Sequence, residues 1–262
     1  MDSRSTVVVL HAHPDDEAIF TGLTIRRAVD SGARVVLVSA TGGEAGESRI
    51  DLAAGETLRR RRLDELERAC ELLGVSRLVT LGYRDSGAHR GPYDLGTLGA
   101  ASVADVASQI EQVVREERAS ALVHYDQRGI TGHIDHLQVH RAGREVVSKL
   151  GVVGYETTLD RTAVRGGSYQ LARSAAGNAS WVGVPTRSVT LTISATGPEL
   201  RAKLAAMAAH GSQIGPESLE ASAFGRGYGR EWFVRRGAPG ILDTLDTLAT
   251  PVASQLLVTA GS

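Results

Sequence analysis

The chain has 262 residues, of which 42% are hydrophobic and 23% charged, with only 7 prolines, an ordinary composition for a soluble globular protein that gives disorder little support. The length allows one domain, or one domain with an appended lobe, and a formal net charge of -1 supplies no general attraction for nucleic acid or anionic membranes, so neither is expected as a partner. The lone Cys70 excludes an internal disulfide and falls at an apolar helical position, where a buried, unreactive thiol is expected.

The apolar run at 7–10 is too short for a signal-peptide core or a membrane span, so a cytoplasmic location is expected. It belongs instead to a first strand at 6–10. A helix follows at 17–31, closed by Gly32, then a strand at 34–40 and a helix at 56–74. In this second helix Leu63, Leu66, Cys70 and Leu73 recur at helical spacing, and Gly74 supplies a left-handed cap. A strand at 77–82, a helix at 101–117 carrying Val103, Val106, Ile110, Val113 and Val114 on one face, and a strand at 119–125 complete the pattern. All four strands read as buried.

After Leu150 the pattern weakens. Residues 161–180, rich in Gly, Ser, Ala and Arg, read as a loop or insertion, 188–195 as an edge strand, 198–211 as a helix and 231–235 as a late strand. The alternation predicts an α/β fold: a Rossmann-like, mostly parallel sheet flanked by helices, forming one domain with a catalytic core over 1–150 and a variable substrate-side lobe over 151–262. In such a sheet ligands bind beyond the carboxyl ends of the strands, so residues that do chemistry should follow strands.

Two short clusters hold five of the 8 histidines, and both follow strands. The first is His11-Ala12-His13-Pro14-Asp15-Asp16-Glu17. Pro14 restricts the loop, and carboxylates are favoured where a helix begins. An acidic helix cap beside unrelated histidines would look the same. A His and an Asp three residues apart on a tight turn also meet one metal ion, with Asp15 between them directed elsewhere. The second cluster is Gly132-His133-Ile134-Asp135-His136-Leu137-Gln138-Val139-His140. Neutral imidazole is the commonest zinc ligand, and a catalytic zinc site keeps three protein ligands and one open position, so metal ligation is the leading explanation for the two clusters together. His140, one turn beyond His136, fits a hydrogen-bonded structural role as well as a direct one.

The segments His13-Pro14-Asp15-Asp16-Glu17 and His133-x-x-His136 together resemble the LmbE-like (PIG-L) family of zinc-dependent N-deacetylases and amidases. The resemblance runs through residues 1–150 in order and spacing, including Thr41-Gly42-Gly43-Glu44-Ala45-Gly46-Glu47 and Leu81-Gly82-Tyr83-Arg84-Asp85-Ser86-Gly87. It implies His13, Asp16 and His136 as metal ligands, Asp15 as general base, His133 as an imidazolium that steadies charge developing on the substrate, and Arg62 and Asp85 as contacts to substrate hydroxyls. The implied metal is Zn2+, with Fe2+ as the alternative, because ligand type alone does not set the metal. The implied partner is a small-molecule N-acylated sugar or glycoconjugate, from which metal-activated water removes an acyl group, most often acetyl.

Two departures stand out. The place between His133 and Asp135 usually holds proline and here holds Ile134. Some members carry a tyrosine acting on the reacting carbonyl where this chain has Thr131; Tyr125 or another residue replaces it, or that assistance is absent. An amidase acting on a larger amide of an amino-sugar thiol conjugate shares the same active-site logic. A binding module that keeps the metal without catalysis is disfavoured by the presence of Asp15. The run His133-Ile134-Asp135-His136 also suggests a histidine-aspartate phosphohydrolase, but that fold is all-helical.

Weaker signals carry plainer readings. Arg59, Arg60 and Arg61 read as a solvated helix face. Gly42, Gly43 and Gly46 lack the Walker lysine, so nucleotide binding is not expected. Tyr228 and Trp232 line a sugar site or belong to the core, and a homo-oligomer remains open.

Overall fold

The computed structural model of the chain describes residues 5–88, 93–177 and 179–246. Residues 247–262, the end of the expected lobe, lie outside the described residues. The β-branched run Thr6–His11 forms β1 and is buried along its whole length. There follow α1 (Asp16–Asp30), β2 (Arg34–Thr41), α2 (Leu58–Leu73), β3 (Arg77–Tyr83), α3 (Val103–Glu116), β4 (Ala121–Tyr125), α4 (Gly129–Gly132) and α5 (Ile134–Leu150). The remainder comprises β5 (Val153–Thr158), α6 (Arg161–Arg165), α7 (Gln170–Ala175), β6 (Leu191–Ser194), α8 (Gly197–Ala209), α9 (Ala221–Tyr228), β7 (Arg230–Arg236) and α10 (Ile241–Asp246).

The seven strands form one sheet in the order β3-β2-β1-β4-β5-β7-β6. The first five run parallel, and β7 pairs antiparallel with both β5 and β6. This is the α/β architecture the alternation predicts. From β1 the chain steps outward through β2 and β3, then returns to place β4 on the other side of β1. The carboxyl ends of β1 and β4 therefore face the crevice where the winding reverses. Helix α8 packs on α1 and α2, and α5 packs on α3.

Two expectations need correction, and one strand carries no expectation in the sequence. Strand β3 is not buried: it is the sheet's outer strand, and its residues are half-buried or exposed. Residues 153–158, which carry no apolar pattern, form β5 in the middle of the sheet. The stretch 161–180 is not simply a loop. It holds α6, whose first amides are capped by the Asp160 carboxylate, and α7, each too short for a periodic pattern to show.

Tyr228 and Trp232 belong to the core. Both are buried, and their rings pack around Tyr169 with centroids 5.1 and 5.7 Å away. Cys70 is buried as expected, and burial raises its thiol above the usual range, which keeps it unreactive.

A buried ion pair ties the late strand to the first helix. Lys203 of α8 donates to Glu231 of β7 at 2.7 Å, and both are at most 1% exposed. Glu231 also accepts from the amides of Leu23 and Thr24 and from the Thr24 hydroxyl, at 2.6–2.9 Å. Burial pulls the Lys203 ammonium below its ordinary value, and the Glu231 charge opposes that pull. Replacing Lys203 with Met should therefore lower stability by about 3–5 kcal/mol, because the Glu231 charge stays buried without its cation. The midpoint of urea unfolding reads this, and an unchanged midpoint would show that the pair contributes nothing net.

Candidate active site

His13 and Asp16 sit on the turn from β1 into α1, and His136 on the first turn of α5, just beyond β4. The sheet topology brings these segments together. His136 Nε2 lies 3.3 Å from His13 Nδ1 and 3.4 Å from Asp16 Oδ2, and His13 Nδ1 lies 3.5 Å from Asp16 Oδ2. These three atoms can jointly hold a metal ion. Ligands about 2.0–2.1 Å from a tetrahedral zinc stand roughly 3.3–3.4 Å apart, so the donor set fits such an ion with little adjustment.

The opposite edges of the two histidine rings are held in place. His136 Nδ1 faces the Gly129 carbonyl at 3.0 Å, and His13 Nε2 faces Asp135 Oδ2 at 3.1 Å and Asp85 Oδ1 at 3.4 Å. These contacts leave His136 Nε2 and His13 Nδ1 free to face the metal position. Gly129 has a φ of 57°, and a Cβ there would stand 2.6 Å from the His136 Cβ, so only glycine allows this carbonyl to approach.

Asp135 is fully buried and also accepts from the Ser86 amide at 3.0 Å and from the Ser86 hydroxyl. Neither residue carries an implied role in the sequence, although both lie inside its motif segments. Burial alone would pull the His13 ring below its ordinary pKa, but hydrogen bonds to Asp135, Asp16 and Asp85 raise it well above. Metal binding at His13 Nδ1 must therefore compete with a proton.

Tyr125 does not replace a carbonyl-assisting tyrosine. It is fully buried beneath the site, donates to Asp16 Oδ2 at 2.6 Å, accepts from the Ala12 amide at 2.9 Å, and stacks on His136 with centroids 4.2 Å apart. It orients the Asp16 carboxylate and supports the His136 ring. Tyr125→Phe should weaken metal affinity by about 10- to 100-fold while the fold is retained. Competition with a metal indicator measures this, and an unchanged affinity would reduce the phenol to packing.

Asp15 lies beside the ligands and outside the donor set. Its backbone has a φ of 106°, its carboxylate accepts from Arg62 Nη2 at 3.2 Å, and it makes no side-chain helix cap. Burial pushes its carboxyl up to about 6, helped by the Asp16 and Glu17 charges and opposed by Arg62 and His210. A carboxyl so placed can exchange a proton near neutral pH.

Arg62 is buried and anchored. It donates to the carbonyls of Gly43 and Pro14, each at 2.6 Å, as well as to Asp15. Of its neighbours only Arg60, paired with Asp64, is exposed as a solvated face requires, whereas Arg59 and Arg61 are half-buried and pair with Glu44 and Glu56. Asp85 faces His13 and accepts from the Gly87 amide at 2.8 Å. Burial favours its neutral form, but the His13 hydrogen bond and charge dominate and hold it well below the usual carboxylate range.

His133 reaches the same cavity, and its resting ring is held from the helix side. His133 caps α5, and its Nδ1 accepts from the Asp135 amide at 3.2 Å, so Nδ1 carries no proton and the ring is neutral with its hydrogen on Nε2. Burial, aided by His13 and His136, lowers its pKa to about 4. It is a hydrogen-bond donor in this state, and the imidazolium form is not the resting one. Ile134 is the first residue of α5, so the missing proline leaves His136 on the helix. His140 takes the structural role, its Nδ1 2.9 Å from the Tyr125 carbonyl.

These groups line a cavity of about 340 Å3. Its polar lining includes His13, Asp15, Asp16, Arg62, Asp85, Thr131, His133 and His136, and all seven residues singled out by sequence reach it. Ile19, Phe20, Leu171, Ala172, Ala175 and Ile214 supply an apolar part, and Gln213 adds an amide. The residues from α7 and from 213–214 carry no sequence signal.

The family model described as GlcNAc-PI de-N-acetylase (PIG-L) matches residues 8–147. The chain is 35% identical to the 1D-myo-inositol 2-acetamido-2-deoxy-alpha-D-glucopyranoside deacetylase of Kineococcus radiotolerans, over 82% of this chain and 70% of that one. It is also 35% identical to the deacetylase of the same name from Nocardiopsis dassonvillei, over 79% of this chain and 84% of that one. The fold is similar to that of an A40926 pseudoaglycone deacetylase, with a TM-score of 0.64, 14% identity and coverage of 92% of this chain and 100% of that one. It is likewise similar to the N,N'-diacetylchitobiose deacetylase of Pyrococcus horikoshii, with a TM-score of 0.61, 20% identity and coverage of 89% and 84%.

Proposed function

Because this chain belongs to the PIG-L (LmbE-like) family, we propose that it is a zinc-dependent hydrolase that removes the N-acetyl group from an amino-sugar-containing small molecule. The observation that carries this reading is the convergence of His13 Nδ1, Asp16 Oδ2 and His136 Nε2, with Asp15 beside them in the same cavity. Two relatives are named for deacetylating an N-acetylglucosamine-type glycoside of inositol, which supports an N-acetylglucosaminyl substrate here.

When bound, zinc would acidify a water and polarise the amide carbonyl. The chain's own residues do the rest. Asp15 accepts the water proton and delivers it to the amine nitrogen as the C–N bond breaks, since an unprotonated amine leaves poorly. His133 donates through Nε2–H to the carbonyl oxygen as negative charge develops there, so a neutral ring serves. Asp85 offers an acceptor for a sugar hydroxyl. Arg62, already engaged with Asp15, holds the base while its remaining edge meets the substrate.

The test is acetate release from N-acetylglucosaminyl inositol by the zinc-loaded protein, run beside simple N-acetyl sugars and larger amides. Release abolished by chelation and restored by zinc supports the proposal. A metal-loaded protein inactive on all of these substrates would refute it.

A further inference from the structure

The last residue of the first motif, Glu17, takes no part in the steps above, yet it is fully buried. So is His210, the residue that closes α8. His210 Nε2 meets Glu17 Oε1 at 2.6 Å across 193 residues of sequence. The other carboxylate oxygen, Oε2, accepts from the backbone amide of Asp15 at 3.0 Å. The second ring nitrogen of His210 has no partner among the described residues, so the ring's hydrogen bonding there is directed at Glu17.

This geometry bears on the strained residue of the site. A φ of 106° is rare for any residue with a side chain and persists only where the surroundings impose it. At Asp15 the carbonyl accepts from the Ala18 and Ile19 amides at 3.1 and 3.0 Å, which starts α1. The amide on the other side of the same Cα donates to Glu17. Together these bonds fix both peptide planes around the Asp15 Cα, and with them the direction of its carboxylate into the cavity. The Glu17 bond is the one that needs support from outside the motif, since a buried carboxylate requires a partner for its second oxygen.

We propose that Glu17 and His210 form a positioning pair for Asp15, His210 holding the Glu17 carboxylate so that it clamps the Asp15 amide and aims the base. This rests on the reading of Asp15 as the general base. The His210 segment does more of the same kind: its carbonyl accepts from the Gln213 and Ile214 amides, at 2.9 and 2.8 Å, and both residues line the cavity.

The test is a double-mutant cycle on the zinc-loaded enzyme with the N-acetylglucosaminyl substrate. His210→Phe, which fills the space without a donor, should lower kcat by on the order of 10²-fold at unchanged KM and unchanged zinc content, the size expected for a misplaced catalytic group. His210→Gln, whose amide nitrogen can replace Nε2, should restore most of the rate. In an Asp15→Asn background, His210→Phe should lower the residual rate by less than about twofold, because a pair that acts only through Asp15 has nothing left to position. If His210→Phe does not fold, His210→Asn, too short to reach Glu17, carries the same cycle. Full kcat in the zinc-loaded single variant, or an equal loss with and without Asp15, would overturn the proposal. Full activity of Asp15→Asn alone would instead overturn the base assignment, and the two failures are read from different arms.

Discussion

Asp15→Asn should retain its metal and lose about 10² to 10⁴ in kcat, the range by which general-base assistance contributes. The amide matches the carboxylate in size and leaves His13, Asp16 and His136 in place. It still accepts the Arg62 hydrogen bond through its oxygen, so the cavity wall stays closed. What it loses is the capacity to take a proton. Burial pushes the Asp15 carboxyl up to about 6, and a cation beside it would lower that value. The base form is the carboxylate, so activity should fall as pH drops through a point at or below about 6. In Asp15→Asn that acidic limb should shift or vanish, although in the wild type it reports the coupled titration of Asp15 and the activated water. Stopped activity with stoichiometric metal supports the assignment. Loss of metal would show that Asp15 is a ligand or holds one.

Replacing a ligand should be more severe. His136→Ala removes one of three donors and also the ring on which Tyr125 stacks, so metal should be absent after purification and deacetylation undetectable. His13→Ala should have the same outcome and in addition strand Asp135 and Asp85, which both face its Nε2. Elemental analysis of the folded variants decides this. A His136→Ala protein with full metal content would mean that the site lies elsewhere, and among the described residues the other group able to hold a cation is His13, His133 and Asp135.

The sequence made the parallel core legible wherever a strand is buried on both sides by apolar residues, as in β1, β2 and β4. It failed at β5, whose buried polar residues are satisfied by partners that only the fold supplies. Glu156 there pairs with Arg236, and Thr158 donates to Asp126 at 2.5 Å. The candidate site followed the same rule. His13, Asp15, Asp16, His133 and His136 lie in short motifs and could be read, whereas His210 and Gln213 are single side chains delivered by long-range packing. The hydrogen-bonding state of His133 is not legible in the sequence, because it depends on one backbone amide, that of Asp135. Tyr125 is one of three alternatives that the sequence leaves open, since nothing in it says that a side chain at the end of β4 points beneath the site.

The two histidines of the donor set are 123 residues apart, on segments that follow neighbouring strands in the middle of the sheet. A cation shared between them would act as a removable cross-link, closing a chain loop of that length and tying β1 to β4 at the seam where the two halves of the sheet wind apart. Closing so long a loop is entropically unfavourable for an unfolded chain, so the open chain holds no comparable site. An ion bound there would add to the direct pairing of β1 with β4, so that loss of the ion would weaken the fold as well as end its chemistry.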